Sequence, residues 1–505
     1  MMTGTNIRGF EDTSVRGGRR GRGARRGLRH LARGAFAPFA VAAAVAGCDL
    51  DGLVGNDELP ADVSDPSIIE TPAGAVAAYY GVVAQFRSAL GSVGGEPWVE
   101  STFAAITGLL TDELQSPNGR SDEHGRLVDR RSMVEGEENR IILAAYSRLQ
   151  RVRGQASQAI GLLSRYAPAD RQPLAGHAYA LQGYAEVFLA ELFCSGIPLS
   201  TLDFDGDYTY RPGSTTDEVY EHAVELFDRA IELAGDSTRF VHLAQVGRAR
   251  AFLGLGRFAD AAAAAATVPD GYRYEVVYSA AQTANGWDDR NFARRHRHLH
   301  TLWELTVPDR EGANGIDYRS GADPRTRVRL LGANDYGTPI YHPEKYDPAG
   351  ASPIVLASGV EARLVEAEAA LRAGADWLGI LNALRTDGTF TTQPDPDDPA
   401  QTDTIWNAGT GGVDGLAPLA DPGNDGARVD LLFRERAAWL FLTGHRQGDL
   451  RRLIRHYGRA ADDLYPVGVH PYDGGLRYGQ DVTVPIPPEE GISNPEFTGC
   501  YSRGA

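Results

Sequence analysis

The sequence has few cysteines, a single lysine and no long hydrophobic run. Its 505 residues include three cysteines, and none has neighbours at zinc-ligand spacing, which excludes a cysteine zinc site. Beyond the first 47 residues, no stretch is apolar over the roughly 20 residues that a membrane-spanning helix requires. We therefore expect no membrane-spanning helix in the body of the chain.

Basic residues are scarce and unevenly distributed. The chain has 50 basic and 67 acidic residues, and Lys345 is its one lysine. Residues 1–47 hold nine arginines and only two acidic residues, so the remainder has 41 basic and 65 acidic residues and a net charge of about −24. A surface this acidic repels phosphate groups, and we expect no nucleic-acid partner.

The arginine-rich start is typical of a targeting segment. It leads into about a dozen apolar residues, too few to cross a bilayer, that end at Val45, Ala46, Gly47 and Cys48. These four residues resemble a bacterial lipobox, in which the cysteine is acylated and becomes the mature N-terminus. We expect a lipoprotein signal peptide over residues 1–47, a lipid on Cys48 and a tether over residues 48–70. The alternative is an ordinary secretory signal with a coincidental cysteine.

Cys194 and Cys500 remain as an even pair in an exported protein. A disulfide between them would tie the C-terminal tail to the helical body. Their spacing does not decide whether the two residues meet, so the pairing stays open at this point.

The rest of the chain is mainly helical in pattern. Thr71 followed by Pro72 is typical of a helix start, and apolar residues then recur at helical spacing through most of residues 71–269. The sequence predicts a mostly α fold, a tetratricopeptide-like helical-repeat scaffold with long irregular loops and a few short strands. An ordinary helical hairpin without repeat function is the alternative. The small and aromatic residues at repeat-like positions are Ala244, Ala249, Leu253, Gly254, Phe258, Ala261, Ala265 and Pro269.

Two regions interrupt the helical pattern. Residues 270–356 are rich in aromatic residues, Asp, Asn, Gly and Pro, and residues 386–426 form a second irregular insertion. Loops of this length inside a compact protein are usually functional, so we expect the ligand region in residues 270–356. Residues 357–505 are predicted to form C-terminal helices and a tail. The sequence thus predicts one helical domain over residues 71–505.

The C-terminal helices carry the most specific motifs. Phe433, Arg434, Glu435 and Arg436 are followed by a second group in residues 444–452, and together they resemble the C-terminal signature of the RagB/SusD family. Together with the lipobox and the helical body, motifs in family order cover nearly the whole mature chain. They are Asp323-Pro324-Arg325, Glu361 with Ala367-Glu368-Ala369, Leu381-Asn382-Ala383-Leu384-Arg385, Gly444-His445-Arg446, Asp449-Leu450-Arg451-Arg452, Pro485-Ile486-Pro487 and Asn494-Pro495.

The charged residues of this signature have two interpretations. We interpret Glu435, Arg436, Arg446 and Asp449 as a structural network; the alternative is a glycosidase-type carboxylate pair formed by Glu435 and Asp449. The chain departs from the family pattern at 439 and 443, where it has Trp and Thr instead of acidic residues. The ion-pair network of that helix is therefore expected to be thinner.

The resemblance implies a function that the periodicity alone does not. Proteins of this family are surface lipoproteins that bind a glycan or another nutrient and cover a TonB-dependent transporter barrel. We accordingly expect a SusD-like protein that is anchored in the outer membrane at the cell surface, captures a nutrient, and is not an enzyme. The alternative function is a tetratricopeptide-type scaffold lipoprotein in envelope assembly.

A glycan site needs exposed aromatic rings among polar side chains. Sugar C–H faces stack on such rings, and sugar hydroxyls bind polar groups. On this ground the candidate ligand-binding residues are Trp98, Trp287 with Asp288, and Tyr318 with Arg319. The alternative for each ring is burial in the core, the more common place for large aromatic residues.

The sequence predicts no cofactor and no metal site. Three alternating histidines in residues 296–300 could share one face of a strand, but the arginines beside them repel a cation. The alternating aspartates in 203–207 resemble a calcium loop without the downstream glutamate of a hand-type site. A looser calcium site there stays an alternative.

Overall fold

We describe a computed structural model of the chain. It covers residues 69–91, 101–117, 123–202, 208–278, 305–334, 337–346, 352–386 and 416–505, and the backbone of two further strands. The expected signal peptide, the lipid site Cys48 and nearly all of the tether lie outside these residues. The domain boundaries at 47 and 70 therefore stay predictions.

The described residues form fourteen α-helices and several short strands, which confirms the mostly α prediction. The helices of the N-terminal part are α1 Pro72–Leu90, α2 Phe103–Leu110, α3 Glu123–Asp129, α4 Arg140–Tyr166, α5 Gln172–Leu192, α6 Thr216–Ala234, α7 Thr238–Gly254 and α8 Phe258–Ala265. The helices of the C-terminal part are α9 Gly359–Ala373, α10 Trp377–Thr386, α11 Asp425–Trp439, α12 Arg446–Tyr457, α13 Ala461–Leu464 and α14 Glu489–Ser493.

Local capping residues fix where several of these helices begin. The Thr71 hydroxyl accepts a hydrogen bond from the Gly74 amide ahead of α1, as the Thr-Pro pair predicts. Asn139 accepts from two amides in the first turn of α4. Thr215 and Glu218 form a reciprocal capping box that starts α6. These side chains satisfy backbone N–H groups that have no partner within the helix.

Helices α4 to α8 pack as successive neighbours through small residues. The predicted repeat positions in α7 and α8 are buried, among them Ala244, Ala249 and Ala261, except Phe258, which is half-buried. A Cβ atom at Gly254 would lie 2.5 Å from the Tyr220 ring, and one at Gly247 would lie 2.4 Å from the Phe227 ring. The backbones of α6 and α7 can approach this closely because the glycines have no side chain.

The strands pair as short antiparallel ladders, five of them in the described residues. Two of the longer pairs lie in or at the end of the irregular region 270–356. They are β5 (Arg273–Val276) with β8 (Ile354–Ser358) and β6 (Val328–Ala333) with β7 (Pro339–Pro343). The strands are β1 Ile197–Pro198, β2 Thr201–Leu202, β3 Tyr208–Thr209, β4 Gly213–Ser214, β5 Arg273–Val276, β6 Val328–Ala333, β7 Pro339–Pro343, β8 Ile354–Ser358, β9 Phe390–Pro394 and β10 Thr402–Trp406.

The C-terminal tail is fastened to the end of α5. Cys194 and Cys500 form a disulfide, which resolves the pairing that their spacing left open. Beside it, Ser195 pairs with Ser502 and Phe193 pairs with Val484 as isolated β-bridges. The tail therefore closes over the helical body through both covalent and backbone contacts.

The apolar core of the described residues has one large cluster and two smaller ones. The large cluster spans α1 to α8 and the strands β5 and β8. A second cluster lies among α9 to α12 and includes Trp377, Phe433 and Trp439. None of the helices in the described part of the chain combines the length and apolar character that crossing a bilayer requires.

Candidate functional site

The structure separates the predicted ligand residues. Trp98, Trp287 and Asp288 lie outside the described residues, as do the alternating histidines and the 203–207 aspartates. Tyr318 is 2% exposed and stacks on Phe441 with ring centroids 4.7 Å apart. The expected exposure of the Tyr318 ring is therefore wrong, because a distant part of the chain covers it.

The neighbour of Tyr318 points elsewhere. The Arg319 guanidinium is half-buried and lies 3.9 Å from the centroid of the Tyr341 ring, a cation–π contact. Tyr341 is held in β7, where its amide donates to the Thr306 hydroxyl (2.9 Å) and its carbonyl accepts from the Val307 amide (3.0 Å). These two hydrogen bonds fix the backbone that carries the Tyr341 ring.

Tyr472 in the tail lies within electrostatic range of this pair. Tyr472 is half-buried, and burial raises its pKa while the positive charge of Arg319 opposes the rise. We call Arg319, Tyr341 and Tyr472 the tyrosine–arginine patch. The patch combines aromatic rings with a guanidinium that can donate several hydrogen bonds, a combination that suits a sugar ring and its hydroxyls.

The tail loop that carries Tyr472 is fixed at both ends. Val469 and Arg477 pair as an antiparallel β-bridge that closes the loop. Gly474 and Gly475 have φ values of 60° and 89° and form the turn within it. At the tip, Asp473 accepts hydrogen bonds from Arg126 and Arg130 of the α3 region. These ion pairs hold Tyr472 against the body of the protein.

A buried polar cluster lies directly beneath the loop. One atom each of Asp129, Glu311 and His470 lies within 4.8 Å of the others, and all three side chains are buried. His470 Nε2 lies 3.0 Å from Asp129 Oδ2, and the Tyr478 hydroxyl donates to Glu311. Burial raises the pKa of Glu311 well above its usual range, and the neighbouring Asp129 charge adds to the rise.

The signature residues of the C-terminal helices form a different, fully paired network. Glu435 binds Arg325 (2.7 and 3.0 Å) and Arg385 (2.6 Å). Asp449 binds Arg436 (3.0 and 2.9 Å) and Arg452 (2.8 Å). Each carboxylate is buried and saturated by two arginines, so the arrangement fits the structural interpretation and leaves neither carboxylate free to act on a substrate.

The electrostatics of Asp449 fit the structural interpretation. Burial alone would raise its pKa, but the charges of Arg436 and Arg452 hold the pKa of Asp449 well below its usual range. Where the family pattern has acidic residues, Trp439 instead lies under the Arg325 guanidinium (4.9 Å), and the Thr443 hydroxyl donates to the Leu440 carbonyl. At these two positions, an indole ring and a hydroxyl therefore stand in place of charged groups.

Solved structures that superpose on this chain include SusD superfamily proteins. A SusD superfamily protein of Bacteroides thetaiotaomicron superposes with a TM-score of 0.59 at 16% identity, over 86% of this chain and 100% of that one. Surface glycan-binding protein A of the same organism gives 0.58 at 13%, over 86% and 100%. A SusD-like carbohydrate binding protein of Bacteroides vulgatus gives 0.55 at 14%, over 85% and 97%.

These likenesses establish the fold. No protein-family model matches the chain, and no curated protein matches it by sequence. The chain therefore has the SusD-type fold that the C-terminal motifs predict, at a sequence distance where the fold alone is shared.

Two groups of residues escaped the sequence analysis. Tyr341 and Tyr472 join the patch from β7 and from the tail, and only their polar neighbours hinted at exposure. Asp129, Glu311 and His470 come from three distant segments, and no local spacing connects them. A sequence pattern detects residues that share one element, and these residues share none.

Proposed function

We propose that this chain is a lipoprotein of the RagB/SusD type that captures a glycan at the cell surface. The observation that carries the proposal is the fold shared over 85–86% of the chain with proteins described as surface glycan-binding or carbohydrate-binding. The leader with Cys48 supports the lipid anchor and outer-membrane location. The proposed role is binding, and the saturation of Glu435 and Asp449 by arginines supports it over hydrolysis.

The tyrosine–arginine patch is the proposed ligand surface in the described residues. Tyr472 offers a ring face, and Arg319 offers charge-assisted hydrogen bonds to hydroxyl or carboxylate groups of a sugar. Trp98, Trp287 and Asp288 stay proposed ligand residues, since no contact bears on them. Tyr318 is buried against Phe441 and is no longer a proposed ligand residue.

Binding assays test the patch. We expect Arg319→Ala and Tyr472→Ala each to weaken oligosaccharide binding about 10-fold, as the loss of one charge-assisted hydrogen bond or one ring contact would. A glycan array identifies the ligand, and calorimetry on purified protein measures the affinities. Tyr208→Ala is the matched control, because Tyr208 in β3 is 54% exposed and its ring centroid lies 4.8 Å from that of Tyr210, outside the patch. Equal loss in the control would contradict the assignment.

The proposed partner is a TonB-dependent transporter barrel in the outer membrane. Gentle solubilisation followed by affinity capture of the tagged chain, with mass spectrometry of the eluate, tests this step. A stoichiometric β-barrel transporter is the expected result. Capture of assembly factors instead would favour the scaffold alternative, which the repeat-like packing of α6 to α8 supports.

A further inference from the structure

We infer that Asp129, Glu311 and His470 form a binding site for a first-row divalent cation, Zn²⁺ or Mn²⁺. Asp129 ends α3, Glu311 lies in the irregular region and His470 lies in the tail loop. One ligand atom from each lies within 4.8 Å of the other two, and all three residues are buried. Three chain segments thus meet around one point.

Among the described residues, neither carboxylate has an arginine or lysine partner. Asp112, Glu191, Glu368, Glu435 and Asp449 are buried elsewhere, and each binds at least one arginine. Among the described ion pairs, Asp129 has only His470, and none involves Glu311. Two buried negative charges without a counter-charge cost several kcal/mol each, on the order of the usual desolvation penalty. A divalent cation would neutralise both.

Unfilled hydrogen-bonding positions point to the same ligand. Asp129 Oδ1 and Glu311 Oε2 are buried and have no hydrogen-bond partner in the described structure. Their sister oxygens are occupied, because Asp129 Oδ2 accepts from the Ser116 amide (2.7 Å) and Glu311 Oε1 accepts from Tyr478. These contacts orient the two carboxylates and leave one oxygen of each available.

One separation in the cluster matches the spacing of neighbouring metal ligands. Two ligand atoms about 2.1 Å from a metal and at right angles to one another are about 3.0 Å apart. His470 Nε2 and Asp129 Oδ2 are 3.0 Å apart, where the imidazole N–H donates to the carboxylate, and a cation would take the place of that proton. Two carboxylates with one imidazole favour Zn²⁺ or Mn²⁺ over Ca²⁺, which takes oxygen ligands.

A cation bound at this site would affect the tyrosine–arginine patch through one hydrogen bond. The Tyr472 amide lies 3.3 Å from His470 Nδ1, which acts as an acceptor there. An imidazole that coordinates through Nε2 carries its remaining proton on Nδ1, so the cation removes this acceptor from the Tyr472 amide. This link rests on the proposed function, whereas the cation site itself does not.

Metal binding by the mature chain tests the site without any glycan. After EDTA treatment and dialysis, we expect one Zn²⁺ or Mn²⁺ per chain by calorimetry and elemental analysis, with a rise in Tm. Asp129→Asn and Glu311→Gln should each weaken binding at least about 100-fold, since each removes a ligand rather than an outer contact. Glu113→Gln is the matched control: Glu113 is a buried carboxylate with an unpartnered oxygen, but it lies outside the cluster.

Several results would overturn the inference. A stripped wild-type chain that binds neither ion refutes it, as does full binding by Glu311→Gln. If the two carboxylates share a proton instead, Glu311→Gln would fold at least as stably as wild type and no ion would raise Tm. If either carboxylate variant fails to fold, two other measurements test the site. Full ion binding by His470→Gln, or no zinc anomalous signal at the cluster in wild-type crystals, would refute it. Hydrogen exchange of residues 468–478 with and without the ion tests the link to Tyr472.

Discussion

The helices α4 to α8 and the pair α11 and α12 are stabilised in different ways. In the first region, backbones approach through glycine and alanine, and aromatic rings fill the spaces between helices. In the second, buried arginines cross-link α11 and α12 to α9, α10 and the Asp323-Pro324-Arg325 turn. The first region depends mainly on shape and holds two buried ion pairs, Arg153 with Glu186 and Arg250 with Glu191, whereas the second depends on a connected network of matched charges that are costly to leave unpaired.

Breaking the charge network should give the largest effect. Asp449→Asn keeps the shape but leaves Arg436 and Arg452 buried beside a neutral group, so we expect the free energy of unfolding to fall by about 3–5 kcal/mol. Urea unfolding at pH 7 measures the change. Because the folded pKa of Asp449 lies below the unfolded value, this contribution is present above about pH 4 and is lost only in stronger acid.

An exposed pair provides the control for Asp449. Asp430 accepts from Arg459 at 2.7 Å, but its side chain is 61% exposed. Asp430→Asn should change the stability by no more than about 1 kcal/mol, as surface ion pairs usually do. Equal losses in the two variants would mean that burial does not set the strength of the network.

Overpacking in the helical region should reduce the free energy of unfolding by less than Asp449→Asn does. A Cβ atom at Gly176 of α5 would lie 2.6 Å from the Ala234 amide nitrogen and 2.8 Å from the Ala230 carbonyl oxygen of α6. These are backbone atoms that cannot move alone, so Gly176→Ala should cost about 1–2 kcal/mol despite its better helix propensity. Thermal unfolding with calorimetry is the measurement.

A second glycine separates packing from propensity. Gly154 of α4 would place its Cβ in open space, with nothing within 4 Å. Gly154→Ala should therefore stabilise the protein by about 0.5–1 kcal/mol. If both alanine variants shift the stability in the same direction, close helix packing is not the feature that holds this region.

The two regions were also predictable to different degrees. A helix start such as Thr71-Pro72 depends on neighbouring residues, so the sequence predicts it directly. The C-terminal signature predicts a charged network because its residue types stand in a recognisable order. The specific partners, such as Arg325 and Arg385 for Glu435, join only when distant segments fold together.

The candidate site was the least predictable part. Polar neighbours predict an exposed ring at Tyr318, but packing against Phe441 buries it, and Arg319 contacts Tyr341. The Cys194–Cys500 disulfide and the Asp129–Glu311–His470 cluster are likewise contacts between remote segments. Tertiary packing decides such contacts, and local pattern carries no information on it.

An ion-pair cluster within the helical region gives the smallest test. Glu186 of α5 binds Arg153 of α4 at 2.8 Å and His222 of α6, whose pKa this contact raises. A raised folded pKa stabilises the protein below the unfolded value of about 6.5, and the gain is lost as the pH rises through the folded pKa. His222→Gln should therefore destabilise the chain by less than about 1 kcal/mol, more at pH 5.5 than at pH 8.5.

A second histidine in the same region should show the opposite sign. Burial lowers the pKa of His242 in α7, so its protonation opposes folding as the pH falls. Relative to His242→Gln, the wild type should lose stability between pH 8.5 and pH 5.5, whereas relative to His222→Gln it should gain. Urea unfolding of the wild type and of each variant at both pH values measures these opposite changes. If either histidine mattered as much as Asp449, charge pairing would hold the helical region too, and the contrast between the two regions would fail.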